Sequence, residues 1–183
     1  MGVVMNMEAE NYTLRPLDER DALRMLEWLH DEEVTRYLSI NGKDSTMDEV
    51  LRFIQDAQDE TVNLHRAITD DRDNYLGTVS LKNIDNTKKE AEYAISMHQS
   101  AIGTGAADAA SKMITCLAFD NLRLNRIYLY VMRSNSRAVK FYNKMGYRYT
   151  HSSFKVIKGK KEELIWYEVK NEIIANNNGD VNE

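Results

Sequence analysis

A glycine-containing turn, Gly103-Thr104-Gly105, stands between an apolar segment and a long run of helix-forming residues. The first amides of a helix have no partners inside that helix, and they lie at the positive end of its dipole. Glycine lets a ligand approach this backbone closely because it has no side chain. The pattern predicts an anion-binding site at the helix N-terminus, although a plain turn without a ligand fits the two glycines equally well.

A second segment that carries reactive side chains runs from Ser134 to Tyr147. Ser134 or Asn135 can cap a helix here, and Gly146 stands where a left-handed residue commonly ends one. Tyr142 lies on the apolar stripe of this helix. Its position alone fits either a core tyrosine or a phenol that takes part in chemistry.

The bulk composition limits which functions this chain can have. Its 183 residues fit one domain with its own core, and a net charge of −5 argues against a nucleic-acid surface. A single cysteine excludes an intrachain disulfide and a thiolate zinc site, and the four histidines are scattered. No segment has the character of a secretory signal or a membrane span. We therefore expect a cytoplasmic protein with no metal, nucleic-acid or membrane partner.

Hydrophobic periodicity predicts the elements that must position these residues. The predicted strands are 12–17, 64–69, 75–84, 91–97, 126–132, 154–158 and 163–169. Short polar turns between strands favour an antiparallel meander, and the helix predicted over 103–121 favours a parallel crossover. Helices between the first two strands are predicted to cover the sheet or to form a substrate-pocket wall, with Ser45 and Asp48 as a capping pair. The expected fold class is a single-domain α/β (α+β) protein.

Two motifs that occur in order give the chain a family resemblance. They are Gly103-x-Gly105 and Asn135-x-x-Ala138-x-x-x-Tyr142-x-x-x-Gly146-Tyr147. With a helix and a strand between them, they resemble the GNAT superfamily of acyl-CoA-dependent N-acyltransferases. Further matches at Leu14-Arg15-Pro16-Leu17, Leu76-Gly77 and Ala91-Glu92 are similar to the branch that acetylates ribosomal-protein N-termini, and to relatives that acetylate amino-sugar nucleotides. Ser100 departs from the family, which usually has Arg or Gln at that position.

The resemblance implies a GNAT fold, in which a mixed central sheet has splayed parallel strands and carries helices on both faces. It implies an acetyltransferase domain over 11–170, an N-terminal extension over 1–10 and a polar, partly disordered tail over 171–183. Acetyl-CoA would be the co-substrate, with its pyrophosphate on the amides of the glycine turn and no metal involved. The implied contacts are Ile95, Met97, Ile102, Gly103, Thr104, Gly105, Ala106, Asn135 and Tyr142.

The implied reaction is direct attack of a neutral primary amine on the thioester, with the tetrahedral oxyanion held by a backbone N–H near 95–97. Tyr142 would protonate the departing thiolate, because a phenol of pKa near 10 is close in acidity to a thiol. Glu92 is the best candidate for the base, or it is a solvated strand carboxylate. Arg137, Lys140 and Lys144 would contact the 3′-phosphate, or they form a solvated helix face.

The acceptor is predicted to be a protein N-terminus or a small amine, and the second choice is an amino-sugar nucleotide. A catalytically silent CoA-binding sensor and a purely structural domain are the alternatives from other classes. Acceptor pockets are built by variable loops, so the sequence leaves the acceptor open. It also leaves open the length of the acyl chain and the choice between a monomer and a homodimer.

Overall fold

A computed structural model of the protein describes residues 7–9 and 11–171. Within these residues, eight strands form one sheet in the order β1-β2-β3-β4-β5-β6-β8-β7. The strands are β1 (Met7–Ala9), β2 (Tyr12–Arg15), β3 (Leu64–Asp70), β4 (Tyr75–Asp85), β5 (Glu90–Met97), β6 (Arg126–Met132), β7 (Arg148–Ile157) and β8 (Lys160–Lys170). Neighbouring strands are antiparallel except for β5 and β6, which are parallel.

Helices cover both faces of the sheet, as predicted. They are α1 (Ala22–His30), α2 (Glu32–Thr35), α3 (Met47–Asp56), α4 (Ala106–Cys116) and α5 (Ser136–Lys144). Buried residues of α4 and α5 join one face of the sheet in the larger core. Buried residues of α1 and α3 form a second core with Ala67 and Tyr75 on the opposite face. The chain is therefore a layered α/β protein with a core on each side of its sheet.

The two parallel strands separate after a short paired stretch. The β5–β6 ladder runs from Glu90–Arg126 to Glu92–Tyr128 and then stops. Beyond this point β5 pairs only with β4, and β6 pairs only with β8. The predicted crossover and the predicted splay are both confirmed, and the separation leaves backbone groups of β5 and β6 without a strand partner.

Helix caps fix where the site-bearing helices begin. The Asn135 side chain accepts a hydrogen bond from the Ala138 amide and caps α5. At α3 the predicted Ser45–Asp48 pair is wrong, because Thr46 is the cap. The Glu49 carboxylate reaches back to the Thr46 amide at 2.8 Å, which the shorter aspartate at position 48 is not placed to do.

The remaining differences from the predicted elements concern where strands and helices begin and end. Strand β7 begins at Arg148 and not at 154, because this mostly exposed edge strand is defined by pairing with β8 and has no apolar alternation. Helix α4 begins at Ala106, and a π-helical turn (Leu117–Asn121) follows it. The predicted extension over 1–10 includes β1, while the rest of it and the predicted tail beyond 171 lie outside the described residues.

Candidate active site

The separation of β5 and β6 opens a cavity of about 840 Å³. One side of the cavity is the sheet wall, made by residues of β3, β4 and β5. The opposite side is the helical wall, made by residues of α1, α3 and the segment after α2. The starts of α4 and α5 complete the cavity.

Most of the predicted site residues line this one cavity. The lining members are Glu92, Ile95, Met97, Ile102, Gly103, Gly105, Asn135 and Tyr142. Thr104 and Ala106 are not among the lining residues. The Thr104 hydroxyl donates to the Ala101 carbonyl at 2.8 Å and accepts from the Ala106 amide at 3.3 Å, so these two residues build the turn.

The N-terminus of α4 has no side-chain cap within the described part of the chain. Gly103 and Gly105 have φ values of 81° and 94°, a left-handed conformation that glycine adopts without strain. A Cβ built on either glycine would have no heavy atom within 4 Å. The helix therefore begins beside open space, where a ligand can contact the backbone.

Some backbone amides of residues 102–108 already donate hydrogen bonds within the protein, and others do not. Those of Ile102, Thr104 and Ala106 donate within the turn at 3.2, 3.4 and 3.3 Å. No hydrogen bond among residues 11–171 uses the amides of Gly103, Gly105, Ala107 and Asp108. Free amides at a helix N-terminus are suited to an anionic oxygen. The turn thus fits a diphosphate, and its free donors keep Gly103 and Gly105 from the predicted set but add the amides of Ala107 and Asp108.

Tyr142 places a phenol on the cavity surface. The residue is 7 % exposed, and its hydroxyl has no hydrogen-bond partner among the described residues. Burial, and then the neighbouring Tyr147, raise the pKa of Tyr142 well above its usual range, so the hydroxyl is protonated at neutral pH. The pKa of the Tyr142 phenol is therefore higher than the value near 10 that the sequence analysis expects. A higher pKa makes proton donation to a thiolate costlier by about 1.4 kcal/mol per pKa unit.

Tyr142 belongs to a cluster of four tyrosines with different polar partners. Its ring centroid lies 6.1 Å from that of Tyr93, 5.5 Å from Tyr147 and 5.9 Å from Tyr167. The Tyr93 hydroxyl is bonded to Ser111 Oγ at 2.6 Å, whereas the Tyr147 hydroxyl is buried without a hydrogen-bond partner in the described structure. The packing holds the Tyr142 ring while leaving its hydroxyl available.

Glu92 stands at the branch point where β5 leaves β6. Its carboxylate forms an ion pair with Lys82 Nζ at 2.7 Å and accepts from Asn83 Nδ2 at 3.3 Å. Asn83 has a φ of 52° at an irregularity in the β4–β5 ladder. The Glu92 side chain is 17 % exposed, so it is held in place and is not a freely solvated strand carboxylate.

Other predicted polar residues have defined partners. Oδ1 of Asn135 is used in the α5 cap, while its Nδ2 has no described acceptor. Ser100 Oγ is bonded to His98 Nδ1 at 2.8 Å, so this side chain stays within its own turn. Lys144 forms an ion pair with Asp108 and ties α5 to α4, whereas Arg137 lines the cavity.

The sequence prediction missed polar residues on the sheet wall. His65 Nδ1 lies 2.7 Å from Ser80 Oγ, and the imidazole edge packs on Phe53 with centroids 4.9 Å apart. Burial, and then the charges of Lys82 and Arg66, lower the pKa of His65, so the ring is neutral at neutral pH. Alternation along β4 places Ser80 and Lys82 on one face, but only the β3–β4 register brings His65 beside them.

Side chains of α1 and α3 make the helical wall apolar. Met25, Trp28, Leu29, Val50 and Phe53 all face the cavity. Trp28 is fixed by a 3.0 Å hydrogen bond from its Nε1 to the Tyr75 hydroxyl. These helices therefore both cover the sheet and form the wall of a pocket, and the two predicted roles are combined.

Two features that are absent from the described residues, a metal-binding cluster and a membrane-spanning helix, bear on function. Across 7–9 and 11–171, no group of three or more histidine, cysteine, aspartate or glutamate side chains is arranged to hold a metal ion. No described helix combines the length and the apolar character needed to cross a membrane.

Comparison with known proteins agrees with this geometry. The acetyltransferase (GNAT) domain family matches residues 11–148. The uncharacterized N-acetyltransferase p20 of Bacillus licheniformis is 28% identical over 142 residues, which is 76% of this chain and 80% of that protein. The spermidine N(1)-acetyltransferase of Escherichia coli K12 is 28% identical over 140 residues, covering 76% and 74% of the two chains.

A solved structure has the same fold. Spermidine N-acetyltransferase from Vibrio cholerae, in complex with CoA and spermine, superposes with a TM-score of 0.81 at 21% identity, covering 88% of this chain and 96% of that one. The family match spans most of the chain and includes the α4 turn, Glu92 and Tyr142. The chain therefore belongs to the GNAT acetyltransferase family and is an N-acetyltransferase that uses acetyl-CoA as its co-substrate.

Proposed function

We propose that the protein acetylates a small primary amine in the cavity between β5 and β6. One observation carries the proposal: a single cavity is lined by residues of the α4 turn that have free amides, by Tyr142 and by Glu92. Two similar proteins are spermidine N-acetyltransferases, which favours a small amine over a protein N-terminus or an amino-sugar nucleotide. We assign the transferase domain to residues 11–170.

The α4 turn is the proposed binding site for the diphosphate of the co-substrate. The free amides of Gly103, Gly105, Ala107 and Asp108 would donate to its oxygens, helped by the helix dipole. Asn135 Nδ2 and the unpaired backbone of β5 beyond Glu92 would orient the pantetheine arm, and a β5 amide would stabilise negative charge on the reacting carbonyl oxygen. When bound, acetyl-CoA supplies the acetyl group as an activated thioester.

Two side chains handle the protons in this proposal. The amine arrives as an ammonium, and Glu92 accepts a proton to free its lone pair. Lys82 holds the carboxylate in place through their 2.7 Å ion pair. The N–C bond forms first and places negative charge on the carbonyl oxygen. As this tetrahedral species collapses, the C–S bond breaks and the Tyr142 hydroxyl gives its proton to the departing sulfur. The second proton lost by the amine nitrogen restores the phenol.

Equilibrium dialysis against acetyl-CoA, followed by thiol release with an amine panel, tests the proposal. The panel contains a small alkylamine, a peptide with an N-terminal alanine and a nucleotide-linked amino sugar. We expect co-substrate binding and the fastest turnover with the small amine. Binding without turnover of any amine would instead indicate a CoA-binding sensor, and no binding would contradict the proposed site.

A matched glycine pair separates ligand contact from backbone strain. Gly103 and Gly159 have φ values of 81° and 76°, and a Cβ on either meets no atom within 4 Å. Gly159 lies in the β7–β8 turn and does not line the cavity. We expect Gly103→Ala to weaken acetyl-CoA binding by about tenfold or more, because the methyl group occupies ligand space. Gly159→Ala should bind acetyl-CoA as the parent does.

A further inference from the structure

We infer that the acceptor is a primary amine on an apolar body and not a polyamine. This inference rests on the proposed function and concerns the acceptor end of the same cavity. Two features carry it: the apolar composition of the helical wall, and the scarcity of carboxylates in the described lining, where Glu49 and Glu92 both already accept hydrogen bonds.

The helical wall offers apolar side chains that remain partly exposed. Phe53 is 37 % exposed and Ile40 is 43 % exposed, although both line the cavity. Leu29, Leu38 and Val34 lie partly buried beside them. An apolar lining with a few polar groups is typical of pockets for small ligands with apolar bodies. This wall matches a hydrocarbon or aromatic group attached to the reacting amine.

The carboxylates of the cavity are already engaged. Glu92 is paired with Lys82 at 2.7 Å. Glu49 lies at the exposed start of α3, where it accepts from the Thr46 amide at 2.8 Å and from the Thr46 hydroxyl at 3.1 Å. The other charged side chain of the lining is Arg137, which would repel a cation. Within residues 11–171, Glu92 is thus the ion-paired carboxylate of the lining, whereas Glu49 has no cationic partner and commits one oxygen to the α3 cap.

The polar groups of the cavity are concentrated on the sheet wall. His65, Ser80, Thr78 and Glu92 project from β3, β4 and β5, opposite the apolar side chains of α1 and α3. His65 is neutral, so it adds no anionic partner. An amine bound with its nitrogen toward Glu92 has its body on the helical wall. A second ammonium on that body would be desolvated among apolar side chains, which is costly, and Glu49 at the start of α3 would be the one carboxylate of the described lining without an ion pair.

The test uses amines that differ only in length or in their far end. In the series from propylamine to hexylamine, kcat/KM should rise about fourfold per added methylene, from the usual contribution of a buried CH₂ group. Adding an ammonium to the far terminal carbon of hexylamine, which gives 1,6-diaminohexane, should lower kcat/KM by about tenfold or more. Spermidine should be a poor substrate for the same reason.

A charge placed on the helical wall should reverse this preference. Phe53→Glu is expected to favour 1,6-diaminohexane over hexylamine, and Phe53→Ala to flatten the dependence on chain length. Leu23→Glu is the matched control, because Leu23 is 60 % exposed on α1 and does not line the cavity. Thermal unfolding of each variant shows whether it is folded.

The outcomes separate the inference from the proposed function. Diamine or spermidine turnover equal to or faster than that of hexylamine overturns the inference and leaves small-amine acetylation standing. A rate that is independent of chain length also overturns it. If acetyl-CoA binds but none of these amines is acetylated, both the inference and the proposed function fail.

Discussion

Removal of a single oxygen atom from Tyr142 separates its catalytic role from its packing role. The Tyr142 hydroxyl makes no hydrogen bond to a described residue, so Tyr142→Phe breaks none within that part of the chain. The ring keeps its contacts with Tyr93, Tyr147 and Tyr167, at centroid distances of 5.5 to 6.1 Å. We expect the free energy of unfolding to change by less than about 0.5 kcal/mol.

Activity should respond much more strongly than stability. Loss of a general acid typically lowers rates by about 10²–10⁴-fold. Because burial raises the pKa of Tyr142, the phenol is a weaker acid than in water, and we expect the lower end of this range. The KM for acetyl-CoA should stay within about twofold, since the lost interaction acts on the leaving sulfur in the transition state.

Two other tyrosines of the same cluster supply the controls. Tyr147→Phe removes a buried hydroxyl that lies near Thr115 but forms no well-aligned hydrogen bond in the described structure, so it should leave kcat unchanged and change stability little. Tyr93→Phe removes the 2.6 Å hydrogen bond to Ser111, which is 1 % exposed. It should cost about 1–3 kcal/mol of unfolding free energy, because a buried serine hydroxyl loses its partner.

The assay is steady-state thiol release with a saturating amine, paired with urea denaturation of each variant. A kcat of Tyr142→Phe within about twofold of the parent would refute the general-acid role of the Tyr142 hydroxyl. This role is equally refuted if Tyr147→Phe loses as much activity as Tyr142→Phe, because the effect would then come from the cluster as a whole.

Three further changes test other parts of the site and its support. Glu92→Gln should lower kcat/KM by about 10²-fold at neutral pH, while dialysis shows unchanged acetyl-CoA binding. Thr46→Ala should lower the free energy of unfolding by about 1 kcal/mol and Ser45→Ala should not, because Thr46 is the α3 cap. The pKa of His65 is lower in the folded protein than in the unfolded chain, so on acidification the unfolded chain binds a proton at this histidine at a higher pH. The stability that neutral His65 contributes is therefore fully present above a pH of about 6.5 and is lost as the pH falls through the lower folded pKa. Urea titrations at several pH values should therefore show a shallower acid loss of stability in His65→Gln, and an identical slope would contradict the assignment.

Much of the fold could be predicted from local sequence patterns. The strand over Arg126–Met132 was predicted with the observed bounds, because its alternating residues face a core on one side. The crossover through α4 and the cap at Asn135 also follow from residues close together in sequence. By contrast, β7 was predicted too short, since an exposed edge strand depends on hydrogen bonds to β8 and leaves little apolar pattern.

The candidate site, like the fold, has parts that follow from local sequence and parts that depend on tertiary contacts. Its local parts follow from residues that are close together in the chain: the glycine turn that opens α4, the asparagine that caps α5, and a tyrosine on the apolar stripe of that helix. Which groups come into contact, and in which protonation state, depends on the folded arrangement. The β3–β4 register places His65 against Ser80, the β4–β5 register places Glu92 beside Lys82, and burial, followed by the neighbouring Tyr147, raises the pKa of Tyr142. Turns and caps are fixed by neighbouring residues, whereas ion pairs, burial and pKa shifts depend on segments that are distant in the chain and are brought together only by folding.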